Sequence, residues 1–594
     1  MPTGPAFFVD AAKGSDANDG SEKAPWKTLR ASVARLRPGD TLCLRAGTWH
    51  EPLYVALRGT MEKPITIRAF RGERAVVDGG LPEFFLDPAN AWEPVPAAEG
   101  GAEGEHRSRK AYPNLRDLVG AFGDSMVGLQ TYWHLKDLRA TNENFTTKGQ
   151  RDPDKDPQKG DADTDPIWVG PGVFYDPASG RIHARLAHTH LPGVDNYQGE
   201  TDPRKLPLVL APFASVPLLV DQGEHLKFQD LVIRGGGYET VVLNRGTRVE
   251  FDRVTVHTGT YGMTVRNTVG LRFWASGLYG NLAGPWCWRA ENGLRARPGR
   301  STRDIARLTG HALWVQDTGR EYSVYAMPYN DDWEIAYSEF YDCHDGLYLG
   351  GVDVDFHHNR VDNMQDDGIY LSPMYPRYGM GGAAIKIHEN LFSRCLSTLA
   401  FGGPEPTEGT AFIWRNVFDL RGPVKYNRPE VGKEPPKPFL GRPLGSHGRA
   451  AWVAMNAYHN TFVMADPADP YMGWLGSIAP EHPRRLLNNL FVHLAPPTAA
   501  RKGTPEPASV GEGNLVWTPA NGSPQDALKL ARVEADPAKP NDYSPRPGSP
   551  ALNAGVPVPK DWPGAADPRD EGAPDAGALP AGAPMLKVGP SAAP

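Results

Sequence analysis

Apolar and polar positions alternate in short bursts along most of this chain. Phe228 lies in KFQDLVIRGGGYETVVL, Phe251 in EFDRVTVHTGTYGMTV 23 residues later, and Phe273 in RFWASGLYGN after another 22. Beyond a break the frame resumes with Ile335 in EIAYSEFYDCHDGLYL and Phe356 in DFHHNRVDNMQDDGIYL, 21 residues apart. Each burst is rich in Val, Ile, Phe and Tyr and ends in turn residues, the pattern of short strands. A repeat of 21–23 residues with three such strands cannot bury its apolar face alone. Stacked on its neighbours as parallel strands about 4.8 Å apart, it can. The chain is therefore expected to be all-β, a right-handed parallel β-helix (a single-stranded solenoid).

A second pattern fits the same object. Asn359, Asn390, Asn416, Asn460, Asn489 and Asn514 each follow a short apolar strand, and each stands two residues before a large apolar side chain. At one turn of successive coils, such amides can bond the backbone and each other in a ladder. A structural role is expected for all of them, and likewise for His357 and His358 beside them.

The remaining segments divide the chain. Residues 1–80 carry an N-terminal cap and the first coils; Leu29, Val33 and Leu36 of APWKTLRASVARL share one helical face and predict a capping helix. Residues 81–210 lose the period and read as an inserted subdomain, with an acidic loop (RDPDKDPQKGDADTDP) and a hairpin-like FYDPASGRIHARL. Residues 211–535 form the main β-helix, interrupted by a second insertion at 291–330, where Trp286 and Trp288 stand at the entrance. Residues 536–594 are rich in Pro, Ala and Gly and are expected to run over the surface or close the C-terminal end.

Composition narrows the function. A hydrophobic fraction of 40% and mean hydropathy of -0.46 suit a globular chain, and 65 Gly with 58 Pro favour turns over long helices. The net charge of -7, without a basic block, speaks against nucleic acid and anionic membranes as partners. A local basic groove for an acidic polysaccharide remains compatible with it. Cys43, Cys287, Cys343 and Cys395 have no metal-site spacing and are expected to be buried thiols. No apolar run spans a membrane. MPTGPAFFVD has no signal-peptide pattern, so the protein is either intracellular or the mature form of a secreted or periplasmic one.

GSDANDGSEKAPWKTL, RPGDTLCLRAGTWHE and KPITIRA together resemble the N-terminal signature of bacterial right-handed β-helix proteins of the polysaccharide lyase and glycoside hydrolase type. DYSPRPGSPALNAG and PDAGAL are similar to their closing segment. The resemblance implies a secreted or periplasmic, monomeric protein acting on a polysaccharide or oligosaccharide. One such fold hosts hydrolases, lyases, epimerases and binding proteins, so activity must come from the site.

The candidate site is an echo. Asp345-Gly-Leu-Tyr-Leu and Asp367-Gly-Ile-Tyr-Leu start 22 residues apart, one coil, with Asp366 before the second and His344 before the first. Asp345 is expected to stack on Asp367 and Leu347-Tyr348-Leu349 on Ile369-Tyr370-Leu371, aliphatic residues inward and tyrosines outward. Gly346 and Gly368 are expected to break the strand at the corner and turn the acids toward an open groove. Carboxylates about 5 Å apart repel and one should be harder to ionise, a tension common at functional sites.

His344-Asp345-Gly346 and Gln365-Asp366-Asp367-Gly368 resemble the two aspartate phrases of polygalacturonase-type hydrolases. That implies Asp366 as general acid and Asp345 with Asp367 as the pair that activates water; no further cofactor is required. The group's Gly-His-Gly and Arg-Ile-Lys phrases have no counterpart here. His344, Tyr375, Arg377, Tyr378 and Lys425 are candidate substrate contacts. In a second reading, Asp345, Asp366 and Asp367 hold Ca2+ for a lyase or epimerase acting on a uronic-acid polysaccharide, with Lys425 or Arg377 as base. In a third, the acids are plain Asp-Gly turns of a non-catalytic glycan-binding or structural β-helix.

Overall fold

The structure, a computed structural model, describes the chain apart from residues 1–3, 124, 133, 144–165, 167, 169, 191–195, 281–305, 308–310, 316–329, 350–351, 372–383, 404–409, 426–439, 451–453, 467–483, 496–509 and 566–571. Its main body is a parallel β-helix. One sheet of 13 strands runs from Ala6–Val9 to Val510–Glu512, every neighbouring pair parallel; a second of 19 strands supplies the other sides of the coils. One coil shows the plan: Asp331–Ala336 joins the first sheet, and Glu339–Cys343 and Asp345–Leu349 join the second.

The apolar pattern sets the register. Phe228 pairs with Phe251, Phe251 with Phe273, Phe273 with Ile335 and Ile335 with Phe356, as their spacing predicts. All five are 0–2% exposed and belong to one core that runs from Val9 to Phe491. Burying an aromatic or aliphatic side chain of this kind is worth about 1.5–3 kcal/mol, so each coil contributes mainly through contact with the next. Residues 29–33 form a short helix, Leu29–Val33, with Leu29 and Val33 in this same core.

The asparagine ladder is continuous. The backbone N–H of Asn359, Asn390, Asn416, Asn460 and Asn489 each donates to Oδ1 of the next asparagine at 2.8–3.0 Å, ending on Asn514. Each Nδ2 bonds a carbonyl of the preceding coil, as Asn390 does to Phe356. Upstream the rungs are serines: Ser338 N–H donates to Asn359, Ser276 N–H to Ser338 Oγ, and Val254 N–H to Ser276 Oγ. The residue before each asparagine is left-handed, with φ of 54° at His358 and Glu389, 53° at Arg415 and His459 and 57° at Asn488. That kink points the amide inward and offers the preceding side chain to the outside.

Between Trp92 and Pro212 the chain builds a separate sheet with its own core of Phe84, Trp92, Leu129, Val173 and Ile182. Its hairpin pairs Gly172–Asp176 with Arg181–Arg185, and it borrows a short strand, Ala306–Arg307, from the second insertion. A fully buried ion pair, Asp78 Oδ2 to Arg234 Nε at 2.6 Å, lies where this insert leaves the coils, and Phe85 covers its guanidinium.

The C-terminal segment runs back along the kinked turns. Val556 N–H donates to Asn488 Oδ1, Asp575 O meets His459 Nδ1 at 2.9 Å, Arg415 donates to Ala578 O, and Gly589 N–H reaches His358 O. Trp562 packs on Tyr458 at 5.2 Å. Among the described residues, Cys43, Cys343 and Cys395 are buried and free, and burial pushes their thiols up. No described helix is long and apolar enough to cross a membrane.

Candidate functional site: an acid corner with one imidazole

The echo comes into register. Leu347 pairs with Ile369 and Leu349 with Leu371, all four buried, while Tyr370 is partly exposed. Asp345 and Asp367 therefore meet one coil apart: Asp367 N–H donates to Asp345 Oδ1 at 3.1 Å, and Asp366 N–H to His344 O at 2.8 Å. His344 Nδ1 lies 3.2 Å from Asp345 Oδ2. One ligand atom from each of His344, Asp345 and Asp366 falls within 4.8 Å of the others. Burial alone would push His344 down. The Asp345 carboxylate beside it, with Asp366 and Asp367 behind, outweighs burial and holds the imidazole above the ordinary histidine range. A proton is thereby easier to keep on His344, where it would offset part of the crowded negative charge.

Two expectations are corrected. The acids are not turned outward: Asp345, Asp366 and Asp367 are 4%, 8% and 2% exposed. They sit in paired strands, Asp345–Leu349 and the 12-residue Arg360–Leu371, with a coil on either side: Asp345 pairs with His311 and Asp367 with Ser397. Nor do Gly346 and Gly368 break the strand. A Cβ on Gly346 would meet Gly368 O at 2.2 Å, and one on Gly368 would meet Thr398 O at 2.6 Å. Glycine is required because successive coils approach so closely here.

Lys425 lies apart from this corner. It donates its backbone N–H to Asn363 Oδ1 at 2.7 Å and lines a separate cavity with Arg360 and Asp362. Tyr375, Arg377, Tyr378, Trp286, Trp288 and Cys287 lie outside the described residues.

Two groups escaped the sequence reading. Tyr261 pairs with His311 and His311 with Asp345, which puts Tyr261 two rungs, about 10 Å, from the acid corner. Burial first, then a hydrogen bond with Tyr238, pushes its phenol up, and Asp345 adds to this. Tyr238 is 40% exposed and packs edge-on to Tyr261 at 4.9 Å. The second insertion hides this register in the sequence. The other is Asp362, bound by both nitrogens of the Arg394 fork. Its alignment under Tyr341, 21 residues earlier, was open to a reader of the repeat.

No family model matches the chain. The uncharacterized protein YwoF of Bacillus subtilis (strain 168) is 41% identical over 73 residues, 12% of this chain. That match spans 16% of YwoF's length. Among solved structures, pectate lyase Pel9A is 13% identical with a TM-score of 0.43, over 98% of this chain and 97% of that one. A glycoside hydrolase is 11% identical with a TM-score of 0.46, over 86% and 96%. The alginate lyase from Paenibacillus sp. str. FPU-7 is 9% identical with a TM-score of 0.35, over 86% and 99%. These neighbours are carbohydrate-active enzymes, but likenesses this distant carry no argument about chemistry. It is the chain's own parallel ladders, coil upon coil, that make it a parallel β-helix protein.

Proposed function

We propose that this protein cleaves a glycan, with Asp345, Asp366 and Asp367 as the reacting carboxylates. The observation that carries the reading is the one-coil stacking of Asp345 and Asp367 with Asp366 and His344 alongside. Hydrolysis of a glycosidic bond needs one proton donor and one carboxylate to activate water or attack. Asp345 accepts from Asp367 N–H and pairs with His344, contacts that favour its ionised form. It suits the base, with Asp367; Asp366 is assigned the proton donor. Tyr238, one coil beyond Tyr261 and so about 15 Å along the axis from the acids, offers an exposed aromatic face for a more distant sugar ring.

A second reading, Ca2+ held for a lyase, draws on the closeness of His344, Asp345 and Asp366. The donor set fits Ca2+ poorly. That ion takes six to eight oxygens, and one member of the grouped trio, His344, offers a nitrogen instead. A hydrolase is preferred.

The test is a polysaccharide panel with Asp345→Asn, Asp366→Asn and Asp367→Asn. New reducing ends without ultraviolet absorbance identify a hydrolase, and absorbing products that cease with chelator identify a lyase. Asp367→Asn should lower turnover on the order of 10²–10⁴-fold, the usual share of acid–base catalysis. A buried structural knot behaves otherwise: the three variants lose stability and keep wild-type turnover, and that result rejects the catalytic assignment.

A further inference from the structure

A cavity of about 740 Å³ opens one face away from the acid corner, between the Arg360–Leu371 strand and the returning C-terminal segment. Asn363, with φ of 61°, makes the bend that separates the two. The walls are largely apolar, with Leu391, Val417, Leu579 and Met585 among them, and Met585 is 48% exposed. Its charges are unbalanced. Among the described residues, Arg360, Arg394, Arg421, Lys425 and Lys539 line it against Asp362 and Asp419. On a chain of net charge -7 this is a local reversal of sign.

The five cations are not equivalent. Arg394 is committed to both oxygens of Asp362. Arg421, 3% exposed, binds Asp419 through both oxygens and accepts no further ligand, because it also donates to the carbonyls of Glu534, Asp536 and Lys539. It fixes the C-terminal wall in place. Arg360 is different: 42% exposed, it reaches Asp362 only at 3.5 Å, on an oxygen Arg394 already holds. Lys425 is exposed, and its charge reaches Asp342 without an ion pair being formed at contact distance among the described residues. Lys539 is 59% exposed, 3.6 Å from Glu534 at the rim. Among the described residues, Arg360, Lys425 and Lys539 thus line a cavity with an apolar wall, held by their carboxylates only through long or shared contacts.

We propose that this cavity is a second binding site, for an anionic sugar, separate from the acid corner. The charge asks for an anion, and the apolar wall with Tyr543 asks for a ligand that also has a flat, weakly polar face. That the ligand is a sugar rests on the glycan-cleaving reading; that it is an anion does not. Carboxylate and sulfate share the recognising chemistry, a planar or tripodal set of acceptors for an Arg fork and a Lys ammonium.

The experiment is calorimetric titration of the full chain with glucuronate, glucose 6-sulfate and glucose. Binding of either anionic sugar but not of glucose is expected, and the arm that binds names the acid group. Arg360→Ala with Lys425→Ala should weaken it roughly tenfold or more, the loss of at least one charge-assisted contact, and 0.5 M salt (about a 4 Å screening length) should weaken it too. Should Arg360→Ala fail to fold, Lys425→Glu at an exposed position gives the same reading. Asp367→Asn should bind as the wild type does. Binding of glucose as tight as glucuronate, no binding of either acid sugar, or equal affinity in the variants overturns the proposal. Turnover is not read in this assay. A protein that binds without cleaving therefore refutes the catalytic reading and leaves the cavity standing, and the reverse outcome does the opposite.

Discussion

Replacing Asn416 by alanine should break the ladder at one rung. Its Oδ1 accepts from the N–H of Asn390 at 3.0 Å and from Asn390 Nδ2 at 2.9 Å; its Nδ2 donates to Ile387 O at 2.8 Å and to Asn460 Oδ1 at 3.0 Å. Asn390 Nδ2 keeps Phe356 O, and Asn460 Oδ1 keeps the Asn416 N–H. The group that loses its acceptor outright is the Asn390 N–H, in a residue 0% exposed. One orphaned buried donor costs about 1–3 kcal/mol, and the weakened side-chain links bring the total to about 2–4 kcal/mol. That is a large share of the ~5–15 kcal/mol that holds a typical domain. A stacked fold concentrates such damage in adjoining coils. Hydrogen exchange should therefore find the Asn390 amide deprotected ahead of amides near Phe228. Asn416→Ser should recover part of the loss, since Ser276 and Ser338 serve as rungs upstream. Unchanged exchange at Asn390, or a serine variant no better than alanine, would refute the reasoning.

Asp78→Ala removes the carboxylate that Arg234 Nε binds at 2.6 Å, in a pair 0% exposed on both sides, and should cost about 3–5 kcal/mol by urea unfolding; a change below about 1 kcal/mol counts against it. His344 carries a pH signature. Its folded pKa is raised above the unfolded value of about 6.5, so its contribution is complete below that pH and fades as pH rises through the folded value. The melting gap between wild type and His344→Gln should be widest near pH ~5.5 and narrow toward pH ~9; a constant gap argues against the ion pair.

The coils were legible because one physical demand repeats. Phe228, Phe251 and Phe356 had to face inward once per turn, and Asn359 through Asn514 had to satisfy the same backbone groups each time. Asp345 and Asp367 were found by the same logic. Their burial was not, because strand continuity from Arg360 to Leu371 depends on close coil contact at Gly346 and Gly368, which spacing cannot reveal. Tyr261 was hidden by the inserted residues between its rung and that of Asp345. The basic cavity was out of reach altogether, since Lys539 and Met585 arrive there only when the C-terminal segment folds back.

That returning segment has a consequence in time. Gly589 bonds His358, a loop of more than 200 residues by chain count, and Val556 bonds Asn488. Contacts of such long separation form late, after the chain between them has ordered. The coils from His358 to Asn488 must already be stacked for their kinked turns to exist as docking points. The segment then acts as a completion check, since it can lie down only on an array built in full register. A slipped coil leaves it unmoored, and with it the C-terminal wall of the cavity.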